Sequence, residues 1–142
     1  MSGSGKTAVL GQLETGLKDL NEKDDFAILS FNFEMLSSRL IGRKLSNKMK
    51  LTTQQLYSSS ENFTLNDNYY MNAVQEARKL NKYDINYVDI PGSVKSLEAT
   101  ILAFSKEKDK PVIIMLDHTL LVKKAGGAQD RDLLYDLMAM FN

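Results

Sequence analysis

Ser2-Gly3-Ser4-Gly5-Lys6-Thr7 stands directly before an apolar stripe at helical spacing, Leu10, Leu13, Leu17 and Leu20, unbroken until about Asn21. Few folds accept that order. A glycine turn that runs straight into a helix leaves its first backbone N–H groups unpaired beside the positive end of the helix dipole. Such a cradle suits phosphate. The residues match the back half of the Walker A pattern G-x-x-x-x-G-K-[ST], with Gly5, Lys6 and Thr7 setting the register. Gly3, Ser4, Gly5, Lys6, Thr7 and Ala8 are therefore the expected phosphate contacts. Lys6 would reach the β- and γ-phosphates, and the Thr7 hydroxyl would ligate Mg²⁺. In this register the first glycine falls one residue before Met1, so we expect an internal piece of a nucleotide-binding domain that lacks its loop-delivering strand. The alternative is a flexible Ser/Gly start of the linker kind. The helical pattern that follows at once weighs against it.

The chain has 142 residues, enough for one domain or most of one, and we treat 1–142 as a single partial domain. Its 18 basic and 18 acidic residues cancel, so charge gives no support to nucleic-acid binding by this segment alone. The absence of cysteine excludes disulfides and thiol-ligated zinc. No apolar stretch approaches the roughly 18 residues that span a bilayer, and no signal-peptide core opens the chain. A cytoplasmic protein without a membrane partner is the default expectation.

Elements alternate along the chain. Phe26 to Phe33 is a β-prone run, and a helix is expected from about Leu36 to Lys48. Thr52-Thr53-Gln54-Gln55 has capping-box spacing and predicts a short helix through Tyr57. Asn66 or Asp67 can cap a helix whose apolar positions are Tyr70, Ala73, Val74, Ala77 and Leu80. Ile85 to Ile90 reads as a strand stopped by Pro91-Gly92. Ser93 caps the next helix, with Val94, Leu97, Ile101 and Phe104 as its core stripe. Val112-Ile113-Ile114-Met115-Leu116 is an unbroken apolar run, the pattern of a central parallel strand covered on both faces. Ala125-Gly126-Gly127-Ala128 is a loop candidate. The last helix carries Leu133, Leu134, Leu137, Met138 and Phe141, and no stop signal follows it. Strands alternating with helices predict an α/β domain with a mostly parallel sheet. The sheet is expected to be incomplete, with its first and its C-terminal strands missing.

Phosphate chemistry of this kind needs a carboxylate for the metal shell and another to orient or deprotonate water. Asp117 directly follows the apolar run and fits the Walker B position, where ligands of open α/β sheets bind. The competing reading is a cap at a strand end. Glu34 closes the other clear strand on the same rim. It is either a base for water or an acid in the first turn of the next helix, and the residues alone leave both open. His118, the one histidine, receives no catalytic role, and Arg39 and Arg43 read as a solvated face.

Gly3 to Thr7, followed by a strand ending Ser30-Phe31-Asn32-Phe33-Glu34-Met35, resembles the ATPase domain of DnaB-type replicative helicases. The stretch Val112 to Val122 is similar to that family's Walker B strand and its continuation, and its Asp117-His118 is especially like phage primase-helicases. Ala128 to Leu134 looks like the following loop and helix. The resemblance spans nearly the whole chain and implies a RecA-like P-loop fold. It implies ATP and Mg²⁺ as cofactors, Glu34 and Lys6 as catalytic residues, and Thr7 and Asp117 at the metal. Single-stranded DNA and a homo-hexamer are the partners it implies for the full-length protein. This sequence departs from the family in lacking the first Walker A glycine and any placeable γ-phosphate sensor, DNA-binding loop or arginine finger.

Three other readings remain beside this one. A RecA-like recombinase or repair ATPase shares the same core, and a small-molecule P-loop kinase would need an arginine-rich lid that the sequence does not display. A non-catalytic remnant would keep these residues without turnover.

Overall fold

The computed structural model describes residues 5–57, 66–117, 122 and 130–141. Within them six helices and three strands follow one another as α1 (Lys6–Leu20), β1 (Ala27–Asn32), α2 (Ser37–Met49), α3 (Thr53–Tyr57), α4 (Asp67–Asn81), β2 (Ile85–Val88), α5 (Val94–Lys108), β3 (Val112–Asp117) and α6 (Asp130–Met140). The chain divides into two compact units, Met1–Glu22 with Ser38–Asp84, and Lys23–Ser37 with Ile85–Asn142.

The second unit holds the sheet. Its order is β2-β1-β3 and both pairings are parallel, with Ile28 opposite Ile85 and Ile113, and Asn32 opposite Asp117. Alternation along β1 sends Leu29 and Phe31 to one face, where they join Phe33, Leu97 of α5, Val122, and Leu133 and Leu137 of α6 in one core cluster. Val94, Ile101 and Phe104 of the expected α5 stripe pack against that cluster. Ser30 and Asn32 lie on the opposite face of β1. They are buried, and the Asn32 amide donates to the Ser30 hydroxyl at 2.8 Å, which satisfies a polar pair inside the strand.

Two details of this unit differ from expectation. Val112 to Leu116 is half-buried and forms an outer strand of the described sheet, while β1 takes the middle. Both runs are unbroken and apolar enough for the centre, so pairing decides between them. On α6 the buried positions are Leu133 and Leu137, with Met140 packed beside them, whereas Leu134, Met138 and Phe141 are exposed. One helix face that is 100° wide or so cannot bury both rows against a single neighbour.

The first unit is helical. Its turn chemistry follows the sequence closely. At α3 the Thr52 hydroxyl accepts from the Gln55 N–H at 3.1 Å and the Gln55 side chain accepts from the Thr52 N–H at 2.9 Å, a reciprocal capping box. Asn66 caps α4 by accepting from the Tyr69 N–H at 3.0 Å. α2 closes in a Schellman turn, with Leu51 N–H donating to Ser46 O and Lys50 N–H to Asn47 O, and Lys50 takes the left-handed backbone usually given to glycine. The α1 stripe is the exception. Leu13 and Leu20 are 51% and 86% exposed, Leu10 and Leu17 are half-buried, and the buried residue of the helix is Glu14. On α4, Ala73 is buried but Tyr70 and Ala77 are exposed.

Candidate functional site

Gly5 stands at φ +75° as the N-cap of α1, a left-handed backbone that L side chains resist. Its carbonyl accepts the Val9 N–H at 2.9 Å, which starts the helix ladder. No acidic residue lies in the first turn, so nothing on the helix itself neutralises its positive end. Lys6 is exposed at the first helical position, and Thr7 is half-buried beside it. This arrangement fits an anion: a glycine turn, free N–H groups and a cation at one point. Gly3 and Ser4 fall outside the described residues, as do His118 and the loop candidate Ala125 to Ala128. Ala8 is exposed.

A cleft of about 360 Å³ opens within the same unit beside this helix start. Thr7, Ala8 and Gly11 form its α1 wall, and Arg43, Lys44 and Asn47 of α2 face them, with Thr52 and Thr53 at one end. Arg43, read from sequence as a solvated residue, is exposed yet lines this cleft.

The carboxylates of the sheet unit lie on the C-terminal rim of the strands. Asp117 is the last residue of β3 and 7% exposed. Its carbonyl accepts the Phe33 N–H at 2.9 Å, so the ladder between β1 and β3 runs one residue past Asn32. Phe33 is buried in the core cluster with its ring 6.1 Å from that of Phe31, and the exposed Glu34 follows it at once. The structure thus brings Glu34 and Asp117 to one rim, through neighbouring strands and a shared backbone bond.

A residue that sequence reasoning passed over completes the rim. Asp89 directly follows β2, and one of its carboxylate oxygens accepts both the Ser37 N–H at 3.1 Å and the Ser37 hydroxyl at 3.0 Å. The backbone N–H and then the hydroxyl of Ser37 hold the Asp89 carboxyl below its ordinary 3.8. Ser37 is the first residue of α2, so a carboxylate 52 residues away in sequence does the work of a local cap. Nothing in the local pattern around Val88-Asp89-Ile90 signals this, because it depends on which strands become neighbours.

Thr7 and Asp117 supply a hydroxyl and a carboxylate, hard oxygen donors of the kind Mg²⁺ takes. Among the described residues no group of three or more His, Asp or Glu forms a metal cage. A Mg²⁺ held by one or two protein oxygens and substrate phosphates needs none. Among the same residues no helix is long and apolar enough to cross a membrane.

No protein-family model matches the sequence, and no curated protein matches it. Solved structures do share its fold. One is a helicase ATPase domain of the DnaB-like class, similar with a TM-score of 0.82 at 18% identity, over 98% of this chain and 49% of that one. Another is a DnaB-like replicative helicase, solved in connection with its interactions with primase, with a TM-score of 0.70 at 20% identity over 92% of this chain and 34% of that one. The chain therefore spans about half the length of the first and about a third of the second. Its parallel sheet, flanking helices and these two matches give it the fold of a DnaB-like helicase ATPase domain, a partial RecA-like α/β architecture.

Proposed function

We propose that residues 1–142 are part of the ATPase domain of a replicative DNA helicase, and that the full-length protein couples ATP hydrolysis to unwinding. The observation that carries this reading is the left-handed Gly5 opening an acid-free helix at Lys6-Thr7, in a fold shared with a DnaB-like helicase ATPase domain. The N–H groups around Gly5 and the first turn of α1 cradle the phosphates, and the Lys6 ammonium neutralises charge on the outer two. Thr7 and Asp117 hold Mg²⁺, which when bound screens the phosphate oxygens and fixes their orientation. Glu34 accepts the proton of the attacking water. Core packing of Phe33 and its bond to Asp117 hold the backbone from which Glu34 projects. The whole protein works as a homo-hexamer on single-stranded DNA.

The test is steady-state ATPase of the full-length protein. Lys6→Ala removes phosphate charge compensation and Glu34→Gln removes the base. Each should lower kcat by roughly 10²–10⁴-fold, the usual weight of a general base or a phosphate clamp. Near-normal turnover in Glu34→Gln would sink its assignment, and undisturbed ATP binding in Lys6→Ala would sink the phosphate loop.

A further inference from the structure

Glu34 occupies a short connection between two anchors. On one side Phe33 is buried in the core, with its N–H on the Asp117 carbonyl. On the other, Ser37 gives both its N–H and its hydroxyl to one oxygen of Asp89. Only Glu34, Met35 and Leu36 lie between, and Leu36 is exposed, so it adds little packing. Three residues span at most roughly 10 Å even when extended, which confines the Glu34 backbone to a small volume once both ends are tied. The first anchor is a ladder bond backed by aromatic packing. The second depends on one carboxylate at the end of β2, and its two hydrogen bonds are charge-assisted, about twice as strong as neutral ones.

We propose that Asp89 is a positioning residue for Glu34: by holding the first residue of α2 against the end of β2, it sets where the Glu34 carboxylate stands on the strand rim. The inference rests on the reading of Glu34 as the base for water. Asp89 touches neither substrate nor metal in this role. Its effect on turnover passes through Ser37 and the three-residue connection.

The test measures ATPase kinetics of the full-length protein carrying Asp89→Ala, Asp89→Asn and Ser37→Ala, each confirmed as folded by circular dichroism at the assay temperature. Misplacing a catalytic group by an ångström costs up to about a hundredfold, so Asp89→Ala should lower kcat roughly ten- to a hundredfold with KM for ATP unchanged. Asp89→Asn keeps an oxygen acceptor and should recover much of that loss. Ser37→Ala keeps the N–H donor and should fall between. The deciding measurement repeats Asp89→Ala in the Glu34→Gln background. A residue acting through Glu34 has no further effect there. An equal fall in both backgrounds, a change in KM alone, or wild-type kcat in Asp89→Ala overturns the proposal. If Glu34→Gln itself turns over normally while Asp89→Ala does not, the base assignment has failed, and the positioning role fails with it.

Discussion

At the scale of single residues, the Glu14–Lys44 ion pair is the most consequential feature outside the candidate site. Both side chains are almost wholly buried. Burial pushes the Lys44 ammonium below its ordinary 10.5, while the Glu14 carboxylate pulls it back up. Removing one partner of such a pair strands a charge in the interior. Lys44→Met should therefore destabilise the protein by about 3–5 kcal/mol in urea denaturation, and Glu14→Leu added to it should restore most of the loss. A double variant no better than the single one would show that the pair is not the source of the cost. Asp89 carries a pH dependence of definite sign. Its folded carboxyl lies below its unfolded value, so the stability it adds is complete above about pH 4. That stability is lost as the pH falls through the depressed folded value. The stability gap between the native protein and Asp89→Ala should be full at pH 7 and nearly closed at pH 2–3; a gap that stays constant would remove the charge from the explanation.

At the scale of elements, α1 shows where a sequence pattern misleads. Its leucines repeat at helical spacing, and the helix forms over Lys6–Leu20 as the pattern requires. Which face goes inward is settled by the Lys44 ammonium on α2, which draws Glu14 in and leaves Leu13 and Leu20 out. Two glycines also interrupt the helix. A Cβ at Gly16 would meet nothing within 4 Å, and one at Gly11 would touch Lys44 Cε at an ordinary 3.7 Å. Gly16→Ala should thus stabilise the protein by about 0.5–1 kcal/mol through helix propensity alone, read as a rise in thermal midpoint. A fall would mean that the helix needs its glycine for a contact beyond this chain. The caps needed no tertiary information. Thr52 with Gln55, Asn66 and Ser93 form their bonds with residues three positions away, so their chemistry is complete within a few residues of chain.

At the scale of the whole molecule, the parallel sheet governs what is protected and what reaches the rim. β1 has hydrogen-bonded neighbours on both sides, whereas β2 and β3 are each paired on one side among the described strands. Native-state hydrogen exchange should find the amides of Ile28 to Phe31 slowest in the sheet, ahead of those of Val112 to Leu116. The reverse order would mean that β3 gains a second partner in the full-length protein. The same sheet separates what is legible in the chain from what is not. Local chemistry determined the loop at Gly5 to Thr7, the helix behind it, the caps and the alternation of strands with helices, because each rests on neighbours within about four residues. Asp117 and Glu34 were legible as strand-end acids for that reason. Only the tertiary structure decided that β1 rather than β3 lies in the middle, that Glu14 is buried in place of leucines, and that Asp89 reaches Ser37. Each of those outcomes depends on which distant segments become neighbours, and the favourable pairing of charges or strands across that distance outweighs the local pattern.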